Sequence, residues 1–194
     1  NVGTTMHWHG ILLPWKMDGV AGITQSPILP GKTFRYHFTL HQSGTYWYHS
    51  HDGFQEQQGE YGAFIIAPTH PAPFHTTKDF VVMLSDWSNQ NPNTIYYDLQ
   101  HSPQPSKKMP MHMSSMKMND LSDVHYDAFL FNGKTNANPW TALVKKNDVV
   151  RLRFIDAGAS TNFNVKIPGS HLRIVAVDGN DVRAFSVSHF LIAP

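Results

Sequence analysis

Two histidine pairs carry the most specific chemistry in the chain: His7 and His9 in "HWHG", and His49 and His51 in "YHSHDG". Each pair is spaced i, i+2. In a β-strand such residues project from one side, while Trp8 and Tyr48 project from the other, into packing. If the two strands are neighbours, four imidazoles converge. Imidazole is a borderline ligand that suits copper, zinc, iron and nickel. Four imidazoles without a thiolate or carboxylate favour copper, which also stands near the top of the divalent affinity series. One such pair in a strand is weak evidence, because a histidine there is more often structural or exposed. A second pair in a separate strand-like segment strengthens the case.

The sequence must supply strands to hold these rings, and its pattern is mostly period two. In "TFRYHFTL" (33–40), Phe34, Tyr36, Phe38 and Leu40 share one face. Arg35, His37 and Thr39 share the other, which predicts a half-buried strand entered through the turn "PGK". "GTYWYHSH" (44–51) is aromatic and strand-like, and "YGAFIIAP" (61–68) reads as a short buried strand ended by proline. Residues 1–68 therefore form one set of about four strands. Residues 69–78 form a proline-containing linker. Residues 79–194 form a second set: "DFVVMLSDW", "VHYDAFLF", "DVVRLRFI", "TNFNVKI", "LRIVAVDG" and "SHFLIAP". The polar segment 88–123 is too long for a hairpin loop and is expected to carry a short helix or to move. No strong amphipathic helix is visible. The fold class is all-β, with two units that are each a sandwich or part of one.

Composition narrows the function. Hydrophobic residues make up 41% and charged ones 15%, enough to bury a core. A net charge of +1 gives no broad field for nucleic acid or an acidic membrane. No apolar run approaches the ~20 residues of a membrane helix. There are no cysteines, which excludes disulfides, zinc–thiolate sites and cysteine nucleophiles within these residues. The first residues run almost directly into the motif without a signal-like segment, and upstream sequence is expected to be missing. No phosphate loop, nucleophile elbow or basic-aromatic nucleic-acid patch is present.

"HWHGILLPWKMDG" and "SGTYWYHSHDGFQEQQGEYGAFII" together resemble the first copper-binding motifs of multicopper oxidases, most closely the bacterial copper-resistance (CopA-type) oxidases, with laccases sharing the broader pattern. "DFVVMLSDW", "MKMNDLSDV", "FLFNGK" and "LRIVAVDG" resemble part of the family's second domain. The resemblance implies two cupredoxin-like Greek-key β-sandwich units, both incomplete. It implies that His7 binds a type 2 copper and that His9, His49 and His51 bind type 3 coppers at a site reducing dioxygen to water. Asp18 in "KMDG" would be the acidic residue near the type 2 copper, orienting water or ligands and assisting proton delivery. By spacing alone Asp18 is an ordinary Asp-Gly turn residue. The family site also needs four further histidines and a cysteine that binds the type 1 copper. These residues carry half of the trinuclear site and no type 1 site.

"MPMHMSSMKM" contains Met109, Met111, Met113, Met116 and Met118 around His112. Thioethers prefer Cu(I), although methionine is equally suited to adaptable packing. His37, on the polar face of its segment, is expected to be exposed; His41 lies beside it, and His70 and His75 fall in the linker. His101, His125, His171 and His189 are isolated.

Two functions follow. One is a copper-dependent oxidase, or a piece of one, passing electrons from phenols, other small reductants or Cu(I) to dioxygen. The other is a non-catalytic copper-binding or tolerance protein. A zinc hydrolase is disfavoured because no general-base carboxylate stands at a recognised offset from the histidines. Homo-oligomers would gather more imidazoles without creating a thiolate. A periplasmic location is implied by the resemblance, and neither nucleic acid nor membrane is expected as a partner.

Overall fold

A computed structural model describes residues 2–70, 74–101 and 124–194. The Met-rich stretch, with Met109, Met111, Met113, Met116, Met118 and His112, lies outside the described residues.

The first sheet has three antiparallel strands in the order β1 (His7–His9), β2 (Gly44–His49) and β3 (Tyr61–Ile66). Its inner face is aromatic because the period-two pattern puts Trp8 opposite the histidines. The Trp8 ring lies 5.4 Å from Tyr36, 5.6 Å from Phe38 and 5.5 Å from Phe64. These residues surround a small core of Ile11, Tyr46 and Ile66.

The segment 33–40 keeps the predicted alternation: Phe34, Tyr36 and Phe38 are half-buried and Arg35, His37 and Thr39 exposed. It forms no ladder among the described residues, and Leu40 is exposed. Its side chains, rather than backbone pairing, fasten it: the Tyr36 hydroxyl accepts the Met6 N–H at 3.0 Å, and Trp8 packs on Tyr36 and Phe38.

In the second set, β4 (Lys78–Trp87) is central, antiparallel to β5 (Ala128–Phe131) and parallel to β6 (Val150–Asp156). It is buried on both faces at its end, where Val82, Leu84, Ser85 and Asp86 are all buried. Asn132 and Gly133, at φ 50° and 70°, turn the chain after β5 so that Phe131 and Lys134 exchange backbone hydrogen bonds. The Asn132 side chain then accepts from Met83 N–H and donates to the Val81 carbonyl.

A second such turn, Asp178-Gly179, joins β8 (Leu172–Val177) to β9 (Asn180–Val187). β9 escapes a sequence reading because its exposed, charged residues show no apolar alternation. β7 (Phe163–Val165) pairs with β10 (Phe190–Ile192). The one α-helix among the described residues, α1 (Pro92–His101), occupies the start of the long polar segment.

The strand sets meet through polar ties. The Tyr61 hydroxyl donates to Ser85 Oγ at 2.7 Å. Arg153 pairs with Asp79 through two nitrogens, at 2.8 and 2.6 Å, and donates to Thr45 Oγ1 at 2.9 Å. Gly44 packs so closely on Gly179 that a Cβ would overlap the Gly179 carbonyl oxygen.

Candidate metal centre

The β1–β2 register pairs His7 with His49 and His9 with Trp47. All are therefore on the sheet face opposite Trp8. His7, His9 and His49 each offer a ring nitrogen within 4.8 Å of the other two. His51, just past the end of β2, stands beside them, its ring 5.6 Å from His7 and 5.8 Å from His49. The four predicted rings are thus neighbours, with the trio closest.

Contacts with neighbouring groups orient the rings of His7, His9 and His49. His7 Nδ1 lies 2.7 Å from the Asp18 carbonyl and 3.4 Å from its carboxylate, leaving Nε2 free. Asp18 reaches this position because Gly19 follows it at φ 78°, packed on the β1 backbone. Any Cβ at Gly19 would overlap the Met6 carbonyl oxygen, so only glycine permits the approach. His49 is buried, with Nδ1 2.8 Å from Glu56 and 3.0 Å from the Ser50 carbonyl. Its Nε2 lies 3.3 Å from His9 Nδ1. Trp47 stacks on both rings, 4.8 Å from His9 and 4.5 Å from His49. Partial burial, then the proximity of His49 and His7, holds His9 below the ordinary imidazole range, with Glu56 opposing.

These donors fit a copper ion. Two imidazole nitrogens sharing one ion at ~2 Å bond length stand about 3.3 Å apart in a tetrahedral set, and that is the His9–His49 separation. Among the described residues this trio of donors is all imidazole, with no carboxylate in the group. A cavity of about 560 Å³ opens beside His9 and His49, walled by residues that include Phe54, Tyr96 and Tyr126.

Glu56 and Trp47 are site residues that sequence reasoning did not single out. Trp47 was reachable by parity, since it shares the face of His49. Glu56 was not, because it arrives from an irregular turn. His37 is exposed, on the opposite face of its segment from Tyr36.

Comparison with known proteins gives two matches to family models described as multicopper oxidase, over residues 1–71 and 78–194. Copper resistance protein A of Escherichia coli is 40% identical, aligned over 100% of this chain and 36% of its own length. L-ascorbate oxidase of Cucumis sativus is 33% identical, over 96% and 34%. The crystal structure of a blue copper oxidase from Nitrosomonas europaea superposes with a TM-score of 0.76 at 32% identity, covering 100% of this chain and 56% of that one. The chain spans about a third of the length of the curated relatives it matches.

Proposed function

This chain belongs to the multicopper oxidase family, a copper-dependent family with an all-β fold, and on that premise we propose that it supplies half of a trinuclear copper site that reduces dioxygen. The reductant is a small phenol or Cu(I), as the likeness to a copper resistance protein suggests. The observation that carries this reading is the convergence of the His7, His9 and His49 nitrogens within 4.8 Å, with His51 alongside.

In this reading His7 holds the type 2 copper, and His9, His49 and His51 hold type 3 coppers. Bound copper supplies the one-electron chemistry that dioxygen reduction needs. The protein's part is to present bare ring nitrogens from a rigid ladder. The Asp18 carbonyl fixes the ring of His7. The Asp18 carboxylate, 3.4 Å from Nδ1, stands where it can hold or pass a proton. Trp47 covers one side of His9 and His49 and keeps water from that side.

A thiolate to receive electrons must come from outside these residues, which contain no cysteine. That fact favours a second reading for the chain taken alone: a copper-binding tolerance module without turnover. We assign residues 1–68 and 79–194 to two partial cupredoxin-like units joined by 69–78, and the location to the periplasm. Homo-oligomers are one source of further imidazoles. No helix among the described residues is long and apolar enough to cross a membrane.

Copper analysis with oxygen-uptake measurements tests the proposal. His49→Ala should lose copper and any phenol-dependent oxygen uptake, while the exposed His37→Ala keeps both. Equal copper and equal uptake in the two variants would reject the site. Copper lost in His49→Ala without uptake in the parent chain would select the tolerance reading.

A further inference from the structure

The stretch "QEQQGE" (55–60) follows the second histidine pair and provides none of the proposed ligands. It folds as a tight turn: Gln58 N–H donates to the Phe54 carbonyl at 3.1 Å, Gly59 N–H to Glu56 at 2.9 Å and Glu60 N–H to Gln55 at 3.0 Å. Side chains on either side of Glu56 fasten this turn. Gln55 donates to the Gly3 carbonyl at 2.6 Å and accepts from Ser50 Oγ at 2.7 Å. Gln57 donates to Asp86 at 3.4 Å, and Glu60 accepts from Thr4 Oγ1 at 3.0 Å. Between these anchors the half-buried Glu56 sets Oε2 2.8 Å from His49 Nδ1.

We propose that Glu56 is a positioning residue for His49, accepting its Nδ1–H so that Nε2 is presented bare toward His7 and His9. The inference rests on the reading of His49 as a copper ligand. Both groups at Nδ1, the Glu56 carboxylate and the Ser50 carbonyl, are acceptors only, so Nδ1 carries the hydrogen. The carboxylate is the closer and the charge-assisted of the two, and it forms the stronger bond. A ligand ring fixed by a carboxylate on its far nitrogen has its tautomer and rotation set before the ion arrives, and losing such a partner typically costs about 10–100-fold in metal affinity.

The test uses the metal-free chain labelled with ¹⁵N-histidine, followed by copper titration. In the parent chain, long-range ¹H–¹⁵N correlations should show His49 protonated at Nδ1. Glu56→Ala should give a mixture of tautomers and bind copper about ten-fold more weakly. Glu56→Gln, which keeps an oxygen acceptor, should retain the tautomer and most of the affinity. Parent-like tautomer and affinity in Glu56→Ala would overturn the proposal, because the Ser50 carbonyl would then suffice. Should Glu56→Ala fail to fold, Glu56→Gln decides alone. Its neutral acceptor should move the His49 Nδ1 proton upfield with Nε2 still bare, and an unmoved resonance overturns the proposal. Parent-like copper binding in His49→Ala would instead sink the copper reading, whatever the tautomer result.

Discussion

The imidazoles on β1 and β2 turn ring nitrogens toward one another, whereas the carboxylates of Asp86 on β4 and Asp156 on β6 are enclosed by the chain itself. Asp86 accepts the backbone N–H groups of Ala159, Ser160 and Thr161 at 2.9, 3.2 and 3.2 Å, and the Gln57 amide at 3.4 Å. Asp156 Oδ1 accepts from Gly158 N–H at 3.0 Å. Both aspartates are buried, as is His49. The difference lies in what completes each set. Asp86, a buried anion ringed by donors, is internally satisfied, whereas Asp156 has one donor and a bare Oδ2 among the described residues. The three imidazoles instead face one another across a single 3.3 Å contact between His9 Nδ1 and His49 Nε2, and among the described residues no fixed charge of the opposite sign stands between them. Asp86 is a finished structural device, and the histidine face, on the reading proposed above, takes an added ion.

If Asp86 is such a device, its removal should be the most damaging change. Asp86→Ala removes a buried acceptor from three N–H groups at once, those of the exposed Ala159 and Ser160 and of the half-buried Thr161. Three bonds to a charged group lost together cost about 3–5 kcal/mol. For a chain of this size the expected fall in Tm is about 10 °C, measurable by calorimetry. A fall below about 2 °C would mean water replaces the carboxylate freely.

The histidine region has a different weak point, the glycine that lets Asp18 approach. Gly19→Ala should cost about 2–3 kcal/mol through left-handed backbone strain and overlap with Met6. It should also weaken copper binding by freeing His7 from the Asp18 carbonyl. Urea denaturation and copper titration check the two effects separately. Lost stability with unchanged copper affinity would show that the carbonyl contact does not orient His7.

The histidine face was legible in the sequence because two rules act together: strand parity puts His7 with His9 and His49 with Trp47, and antiparallel pairing sets them opposite. Neither rule reaches the carboxylate wall. Asp86 sits inside "LSDW", where parity says only that it shares a face with Leu84. The donors that hold it come from 159–161, more than 70 positions away. Glu56 was hidden for the same reason, since an irregular turn has no period from which to infer direction. The reading of 33–40 found the right faces but not the missing ladder, because alternation reports burial and says nothing of backbone partners. β9 shows the converse: a hairpin turn enforces a strand where alternation is weak.

Asp156 sharpens the contrast through pH. Burial, aided by the charge of Asp86 and opposed by the Gly158 N–H, pushes its carboxyl from an ordinary 3.8 up to about 6. Its Oδ2 has no partner among the described residues. Between those two values the folded chain holds a proton that the unfolded chain has released. Stability therefore falls as pH rises from about 4 to about 6 and stays at the lower level above that. Asp156→Asn removes this dependence and gives Asp86 a neutral amide neighbour. The variant should match the parent near pH 4 and exceed it by about 2 kcal/mol at pH 7.5. Parallel pH–stability curves for the two proteins would show that Asp156 ionises freely in the fold.

The smallest expected effect tests whether the two regions respond as one body. Arg153 spans them, bound through two nitrogens to Asp79 and through a third to Thr45 on β2. Its side chain is largely buried while that of Asp79 is 40% exposed, so solvent screens part of the pair. Arg153→Lys keeps the charge but cannot reproduce the planar fork. The cost should be about 1 kcal/mol, near the upper end for a partly exposed pair. Trp8 and Trp47 report on the histidine sheet, and Trp87 and Trp140 on the carboxylate set. In the parent chain a tryptophan-by-tryptophan substitution series should give coincident urea midpoints. If Arg153 is one of the ties that couple the regions, Arg153→Lys lowers all midpoints together, because Tyr61–Ser85 and Gln57–Asp86 still join them. Midpoints that separate in the variant would place the coupling in Arg153 itself, and the histidine face would then be able to open while the carboxylate wall stays closed.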